Sequence, residues 1–404
     1  MKILLINNFH YRKGGSETVY FNTAETLRAH GHEVLFFSCI DKKNEPAQEA
    51  SFFAKGFRGK CSPVDIVRYF YNHDAKEKLE ALLKEFQPDI ADIHLFWGNL
   101  TASILPILKR KGIPVVHTVH DYRMICPAYT FTNGSGEVCH KEECKMGCIL
   151  KKCCKGSILK SVMMQAEFLI RKRAFPYEKY FDALIFVSHF AEQLHKQCCP
   201  TINKIYSKVV YNCTSDPKVD FVTEKEGKYF LYYGRLSKEK GVETLLKAYT
   251  DERKYPLHIV GSGPMDEHLR LLAKGKKNVS FLGYMSGERL RQEIAGARAV
   301  IVPSEWYENN PLTIIESYSM HVPIIGARIG GIPEIIEESR TGFLFDAFSK
   351  EDLKRAIVRC ETLDKDSYAQ LCSNAYALFN KNFTEHRNYE GLMEVFNHIL
   401  EGKK

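Results

Sequence analysis

The sequence predicts an α/β chain of two parallel-sheet, Rossmann-like domains in series, and three observations lead there. At 404 residues the chain exceeds what one ordinary core holds, so two domains of about 200 residues are expected. Short β-branched or aliphatic runs alternate with longer amphipathic stretches, the rhythm of βαβ units. That rhythm runs through twice, and the stretch 213–227 between the two passes is polar and carries Pro217.

In the first pass the strands are expected at Lys2–Asn7, Glu33–Ser38, Ile90–His94, Pro114–Val119 and Ala183–Val187, with a sixth near Val209–Tyr211. The stretch Thr18–His30 repeats its apolar residues at helical spacing, and Gly31 stops it. In the second pass the strands fall at Tyr229–Tyr233, Leu257–Val260, Val279–Leu282, Ala299–Val302 and Pro323–Gly326. After Phe383 a closing helix is expected with no strand behind it. The domains are therefore 1–212, 213–382 and a closing helix 383–404, with a cysteine-rich insertion at about 126–154. Ligands of such sheets sit beyond the carboxyl ends of the strands, here in a cleft faced by both domains.

Composition narrows the class. The charge of +8 suits anionic small molecules or an anionic membrane surface and is too weak to imply nucleic acid. No apolar run reaches the roughly 18 residues of a membrane span. Met1–Ile6 runs straight into Asn7-Asn8 and reads as a buried first strand, not a cleavable signal. Thirteen cysteines then imply a reducing, cytoplasmic setting with reduced or metal-bound thiols.

The richest segment is Pro303–Glu316, which follows a strand and opens a helix. Glu308 precedes the helix, Glu316 lies about two turns in, and Asn310-Pro311 at its start exposes backbone N–H groups suited to a pyrophosphate. The alternative is that Glu308 merely complements the helix dipole while Glu316 is solvated. In Tyr233–Gly241, Arg235 and Lys240 occupy a strand–loop–helix junction where a fork of donors and a point charge would meet a diphosphate. Gly261-Ser262-Gly263-Pro264 is a tight turn after a strand. It lacks the third glycine of a dinucleotide fingerprint. In the first half, Gly14 and Gly15 join strand to helix, with Ser16 expected as a cap. His120 and Asp121 end a strand, whereas His117 lies inside it and reads as structural.

Taken together these segments resemble the family-4 retaining glycosyltransferases of the GT-B fold. The resemblance rests on Gly14-Gly15, His120-Asp121, Gly234-Arg235 with Lys240-Gly241, Gly261-Ser262-Gly263-Pro264, Phe281-Leu282-Gly283, Glu308-x7-Glu316, Gly330-Gly331-Ile332-Pro333-Glu334 and Gly342-Phe343-Leu344, the last two as helix-turn segments. It implies a GT-B architecture whose C-terminal helix packs back on the N-terminal domain. Arg235 and Lys240 would neutralise the donor diphosphate, and Glu316 would hold the ribose hydroxyls. Glu308 would contact the donor sugar, and Asn310, Pro311 and Leu312 would present the helix start to the phosphate. Residues around Gly283-Tyr284-Met285 would meet the base, and His120, with Asp121, would lie near the transferring sugar and the acceptor. Gly14, Gly15, Gly261 and Gly263 would let the nucleotide approach the backbone. Asn309-Asn310 replaces the glycine-rich stretch that many members carry after the first glutamate.

The resemblance further implies retention of anomeric configuration with no catalytic metal or organic cofactor. The donor would be a nucleotide diphosphate-sugar, UDP before GDP, and the acceptor a glycan or lipid-linked glycan of a bacterial surface polysaccharide. Two other classes share parts of this pattern. A sugar-nucleotide epimerase would need an acid/base dyad at the sugar carbon, and a non-catalytic sugar-nucleotide-binding subunit would lose Arg235, Lys240 or His120. Asp364-Lys365-Asp366, the one Asp-x-Asp, lies far from these motifs and reads as a solvated face.

Two features lie outside that scheme. Residues 151–173 alternate Lys and Arg, including Arg171-Lys172-Arg173, with Ile158, Leu159, Val162 and other apolar residues. Such a stretch can lie in an anionic membrane interface at the inner face of the membrane, or be an ordinary domain helix with a wet basic rim. Cys126, Cys139, Cys144, Cys148, Cys153 and Cys154 crowd into one loop. The reading is a structural zinc on Cys139, Cys144 and Cys148 with Cys126 or Cys153; a local disulfide and thiols packed as small hydrophobes are the alternatives.

Overall fold

A computed structural model of the protein describes residues 1–57, 59, 62–139, 147–154, 156–217 and 227–402. The chain divides into two compact units. The first comprises Met1–Ser135, Cys139–Tyr211 and Asn388–Lys404; the second comprises Gly136–Val138 and Asn212–Arg387. Each is a six-stranded parallel sheet flanked by helices, the GT-B pair of Rossmann-like units.

In the first unit β1 (Lys2–Asn7), β2 (Glu33–Phe37), β3 (Ile90–Leu95), β4 (Val115–Val119), β5 (Ala183–Phe186) and β6 (Tyr206–Val209) lie in the order β2-β1-β3-β4-β5-β6. The central residues of β1, β2 and β5 read as continuous apolar runs, as in a parallel sheet covered by helices. The first helix begins at Gly15, with Gly14 as its N-cap. Ser16 does not cap it but donates to Glu17 Oε2 at 3.2 Å from inside the helix. Gly31, at φ 79°, ends the turn that follows. The sixth strand falls earlier than expected, because Tyr206–Val209 pairs in register with Ala183–Phe186 while Tyr211 already gives its carbonyl to Asn388 Nδ2.

The last helix, Glu385–Glu401, closes the first unit. Leu392, Val395, Phe396 and Ile399 enter the same core as Ile3, Leu5, Tyr20 and Leu27. Tyr389 stacks on His30 at 3.7 Å and its hydroxyl meets His32 Nε2 at 2.9 Å.

In the second unit β7 (Tyr229–Tyr233), β8 (Leu257–Val260), β9 (Val279–Gly283), β10 (Ala297–Val302), β11 (Ile324–Ala327) and β12 (Gly342–Phe345) lie in the order β12-β11-β10-β7-β8-β9. Gly342-Phe343-Leu344, expected in a helix-turn segment, is an edge strand instead, paired with Ile324–Ala327. Asp364 is exposed and caps the helix Lys365–Asn382 by accepting from Ser367 N–H at 2.8 Å.

Each sheet reverses its winding once: between β1 and β3 in the first unit, and between β7 and β10 in the second. Loops leaving the two strands at such a point diverge and open a crevice at their carboxyl ends. Gly14-Gly15 follows β1, and His94 lies near the carboxyl end of β3. The loop 234–241 follows β7 and the loop 303–311 follows β10. Gly14-Gly15, Arg235, Lys240 and Glu308 therefore lie where the topology opens each sheet, while His120 and Asp121 follow β4, Gly261 and Gly263 follow β8, and Met285 follows β9.

Candidate active site

The second unit's crevice is built by three loops laced through their backbones. Leu236 N–H donates to Ser262 O at 3.0 Å, Met265 N–H to Leu236 O at 2.9 Å, and Glu305 N–H to Glu239 O at 2.9 Å. Gly261 has φ 143°, and a Cβ there would sit 1.9 Å from Gly234 O. Its missing side chain thus lets one loop pass over the next. Gly263 closes its own turn by accepting from Asp266 N–H at 3.1 Å. In this structure both glycines serve loop-to-loop approach.

On this frame Lys240 Nζ meets Glu308 Oε1 at 2.7 Å, and Ser304 Oγ donates to the same oxygen at 2.8 Å. The Lys240 ammonium also lies 5.1 Å over the Trp306 ring. Burial pushes the Glu308 carboxyl upward, but the Lys240 charge and the hydrogen bonds outweigh it, and the carboxyl stays below its ordinary range. Gly331 N–H grips the Glu308 carbonyl at 2.7 Å, and the close pass needs Gly330, where a Cβ would lie 2.4 Å from that oxygen. Arg235 stands exposed on the same loop as Lys240. Asn310 is buried; its Oδ1 accepts from Asn212 N–H and its carbonyl from Asn212 Nδ2, each at 2.8 Å. Pro311 is the N-cap residue, not the first helical one, and Leu312 opens the helix Leu312–Ser319.

Glu316 projects from that helix toward β7, where the Tyr233 hydroxyl lies 3.1 Å from its Oε2 and 2.8 Å from Thr313 O. Burial raises its carboxyl to about 7, against the opposing hydrogen bond from Tyr233. Met285 is buried just past β9, next to exposed Tyr284.

In the first unit Gly14 and Gly15 are exposed at the helix start, and Thr18 N–H donates to Gly14 O at 3.0 Å. His120 is half-buried, with its Nε2 2.8 Å from His94 Nδ1 and the two rings stacked at 5.0 Å. Burial holds the His120 imidazole well below its ordinary pKa, helped by His94 and His117, so the ring is neutral. Asp121 accepts from Arg123 N–H at 2.9 Å; burial raises its carboxyl against the Arg123 charge. His117 bonds Ile93 O at 2.7 Å and stacks on Phe181, a core role as expected.

Sequence reasoning missed Asp92, His94, Tyr233, Ser304 and Asn212. A signal for the first two existed: Asp92 and His94 are polar residues two apart in an apolar strand, hence on one face of the sheet.

Cys126, Cys139, Cys148 and Cys153 are buried, while Cys144 lies outside the described residues. Among the described residues no group of three or more His, Cys, Asp or Glu is placed to hold a metal ion. The helix Ile158–Ala174 corrects one expectation. Arg171 does not join the basic rim but is buried, paired with Glu167 at 2.7 Å and lying 4.2 Å over the Trp97 ring. Ser161, Gln165 and Glu167 face inward with it, whereas Ile158, Leu159, Val162, Leu169 and Ile170 are exposed. No helix among the described residues is long and apolar enough to cross a membrane.

Residues 13–215 match the profile described as Glycosyltransferase Family 4, and residues 216–378 match Glycosyl transferases group 1. A sulfoquinovosyl transferase of Arabidopsis thaliana is 38% identical over 135 residues, covering 32% of this chain and 26% of that protein. The chain spans between about a quarter and a half of the length of the first curated relatives it matches. Among solved structures, a sucrose-phosphate synthase of Thermosynechococcus elongatus aligns over 99% of both chains with TM-score 0.73 and 17% identity. HepE of Anabaena, in complex with UDP and glucose, aligns over 98% of this chain and all of its own with TM-score 0.70 and 17% identity. The first of the two profiles alone spans just over half of the 404 residues, and the chain belongs to glycosyltransferase family 4.

Proposed function

We propose that this protein is a retaining glycosyltransferase that takes a sugar from a nucleotide diphosphate-sugar, UDP before GDP, to a glycan or lipid-linked acceptor. The observation that carries the reading is the Lys240–Glu308 pair beside exposed Arg235 at the winding reversal of the second sheet. As the bond from the anomeric carbon to the diphosphate breaks, negative charge grows on the leaving group. Arg235 and Lys240 meet that charge, and Glu308, relieved of its lysine, faces the sugar. The start of the helix Leu312–Ser319 takes the phosphate, Glu316 takes the ribose hydroxyls, and the stretch around Met285 takes the base. His120 and Asp121 serve the sugar and the acceptor. The UDP complexes of HepE favour the uridine donor, and a lipopolysaccharide galactosyltransferase among the structural neighbours favours a surface polysaccharide.

The deciding experiment is a thermal-shift panel of UDP-, GDP- and ADP-sugars followed by turnover with the stabilising donor. No stabilisation by any of them would refute the reading. Conversion of the donor sugar without acceptor would replace it with an epimerase. Activity is expected to survive EDTA, as a mechanism without a metal bridging the diphosphate requires.

A structural zinc in the cysteine-rich loop would need Cys144 as a ligand beside Cys139, Cys148 and either Cys126 or Cys153. Elemental analysis of untagged protein is expected to find close to one equivalent of zinc; under about a tenth of an equivalent would end that reading. The outward apolar face of the helix Ile158–Ala174, flanked by exposed Lys160, Lys172 and Arg173, supports reversible contact with an anionic membrane at its cytoplasmic face.

A further inference from the structure

The loop that follows β4 has neither helix nor strand over residues 120–129, so its backbone groups need partners from elsewhere. Two of its carbonyls find them in a buried charge network. Arg171, on the inward face of the helix Ile158–Ala174, is only 4% exposed. Its Nε donates to Glu167 Oε1 at 2.7 Å, its Nη1 to the Tyr177 hydroxyl, and its Nη2 to the Arg123 carbonyl at 3.0 Å. The Tyr177 hydroxyl in turn donates to the Met124 carbonyl at 3.1 Å. The Trp97 ring lies 4.2 Å beneath the guanidinium.

Residue 123 is held from several sides. Its carbonyl takes the Arg171 donor, its N–H donates to Asp121 Oδ1 at 2.9 Å, and its own guanidinium lies 4.8 Å over the Tyr129 ring. Ile125 N–H and Cys126 N–H both donate to Tyr122 O, at 2.9 and 2.7 Å, and tighten the same turn. Burying an ion pair for packing alone is unfavourable, because desolvation can exceed the attraction between the charges. What the guanidinium adds is its planar fork, which reaches Glu167, Tyr177 and the Arg123 carbonyl at once where a lysine offers a single point charge.

We propose that Arg171 and Tyr177 are positioning residues: by holding the carbonyls of Arg123 and Met124 they fix the turn whose N–H orients the Asp121 carboxyl. The consequence for turnover rests on the proposed place of Asp121 at the sugar and acceptor; the hold on the loop does not. A reacting geometry displaced by about 1 Å can lose about 100-fold in rate, so a carboxyl carried on a loop without regular structure depends on such a clamp.

The test begins with amide hydrogen exchange of the full-length wild-type protein. The Arg123 N–H should be protected by about 100-fold or more over an unstructured amide; exchange at the unstructured rate would overturn the proposal with no variant needed. Arg171→Lys keeps the charge beside Glu167, and Tyr177→Phe keeps the ring, so both should melt near the wild-type temperature. Each should nonetheless speed Arg123 exchange and lower kcat by about 10-fold, with the donor KM within about twofold. Unchanged Arg123 exchange in both folded variants would overturn the hold on the loop, and unchanged kcat in both would overturn the positioning role. Asp121→Ala separates this inference from the reading beneath it. Once residue 121 is Ala, Arg171→Lys should cost less than about twofold in kcat, and a further full 10-fold loss would show that the clamp does not act through Asp121. Full turnover in Asp121→Ala alone would refute the place of Asp121 at the substrates, and with it the effect on turnover, while the exchange measurement still judges the clamp.

Discussion

Lys240 is held before any ligand arrives, because Glu308, whose carboxylate also accepts from Ser304, pairs with it at the mouth of the second sheet. Removing a donor to developing anionic charge costs about 3 kcal/mol or more, so Lys240→Ala and Arg235→Ala are each expected to lower turnover by about 100-fold or more. The two should differ in the folded protein. Arg235 is exposed and its loss should leave stability unchanged, whereas losing Lys240 strands the buried Glu308 carboxylate and should lower the melting temperature. Glu316 yields a second prediction. Its carboxyl ionises near 7 in the fold against 4.5 ordinarily, so between those values the folded chain keeps a proton that the unfolded chain has released. Stability relative to Glu316→Gln should therefore be equal below pH 4.5, fall as pH rises to about 7, and level off with the variant ahead by up to about 3 kcal/mol. Denaturant titrations at pH 4, 6 and 8 that show a constant difference would refute the assignment. Arg235, Lys240 and Glu308 were singled out because each lies between a strand and a helix, and Glu316 because it lies eight residues after Glu308, inside the helix Leu312–Ser319. Asp92 and His94 were not singled out, although their two-residue spacing within an apolar strand marks a shared sheet face.

At the scale of elements, ten of the twelve strands among the described residues were legible in place as short apolar runs, the sixth was read three residues late, and the twelfth was not read. Gly342–Phe345 is four residues long at a sheet edge, and its glycine start reads as a turn until Ile324–Ala327 is there to pair with it. The sixth strand was displaced for a related reason. Its burial is intermediate throughout, so the apolar pattern that marks a core strand begins only at Val209-Val210, where pairing already ends. The closing helix was legible as an element, and what it closes follows from its inner face. Phe396 is fully buried in the core formed with Ile3, Leu5 and Tyr20, and the first unit is completed by chain that returns after the second. Phe396→Ala should cost about 3–5 kcal/mol, the usual range for an aromatic core truncation. The loss should appear in hydrogen exchange of β1 and β3 before it appears in β7 or β10. Uniform loss across both sheets would mean that the helix does not belong to the first unit's core alone.

For the molecule as a whole, the net charge of +8 is modest, and its placement matters more than its size. The helix Ile158–Ala174 reverses the ordinary pattern of a soluble helix, turning Ser161, Gln165, Glu167 and Arg171 inward and five large apolar residues outward. The helix Pro63–Phe70, which packs against it, exposes Val64, Ile66 and Val67, and Leu150 is exposed on the neighbouring turn. Lys151, Lys152, Lys160, Lys172 and Arg173 are exposed on the same segment, which is why an anionic lipid surface is the partner proposed for it. The sequence disclosed the basic and apolar content of the segment but not its orientation, because the same periodicity serves a helix that buries its apolar face and one that exposes it. The expected behaviour is flotation with phosphatidylglycerol vesicles that weakens as salt rises and is absent with purely zwitterionic vesicles. At about 1 kcal/mol per lysine near the surface, changing Lys152, Lys160 and Lys172 together to Ala should weaken binding by roughly 100-fold. Leu159→Gln should weaken it without altering the salt dependence, since it removes insertion and leaves the attracting charges in place. Turnover on a short water-soluble acceptor should be untouched by any of these changes. Wild-type protein that stays at the bottom of the gradient at low salt would dispose of the membrane surface altogether.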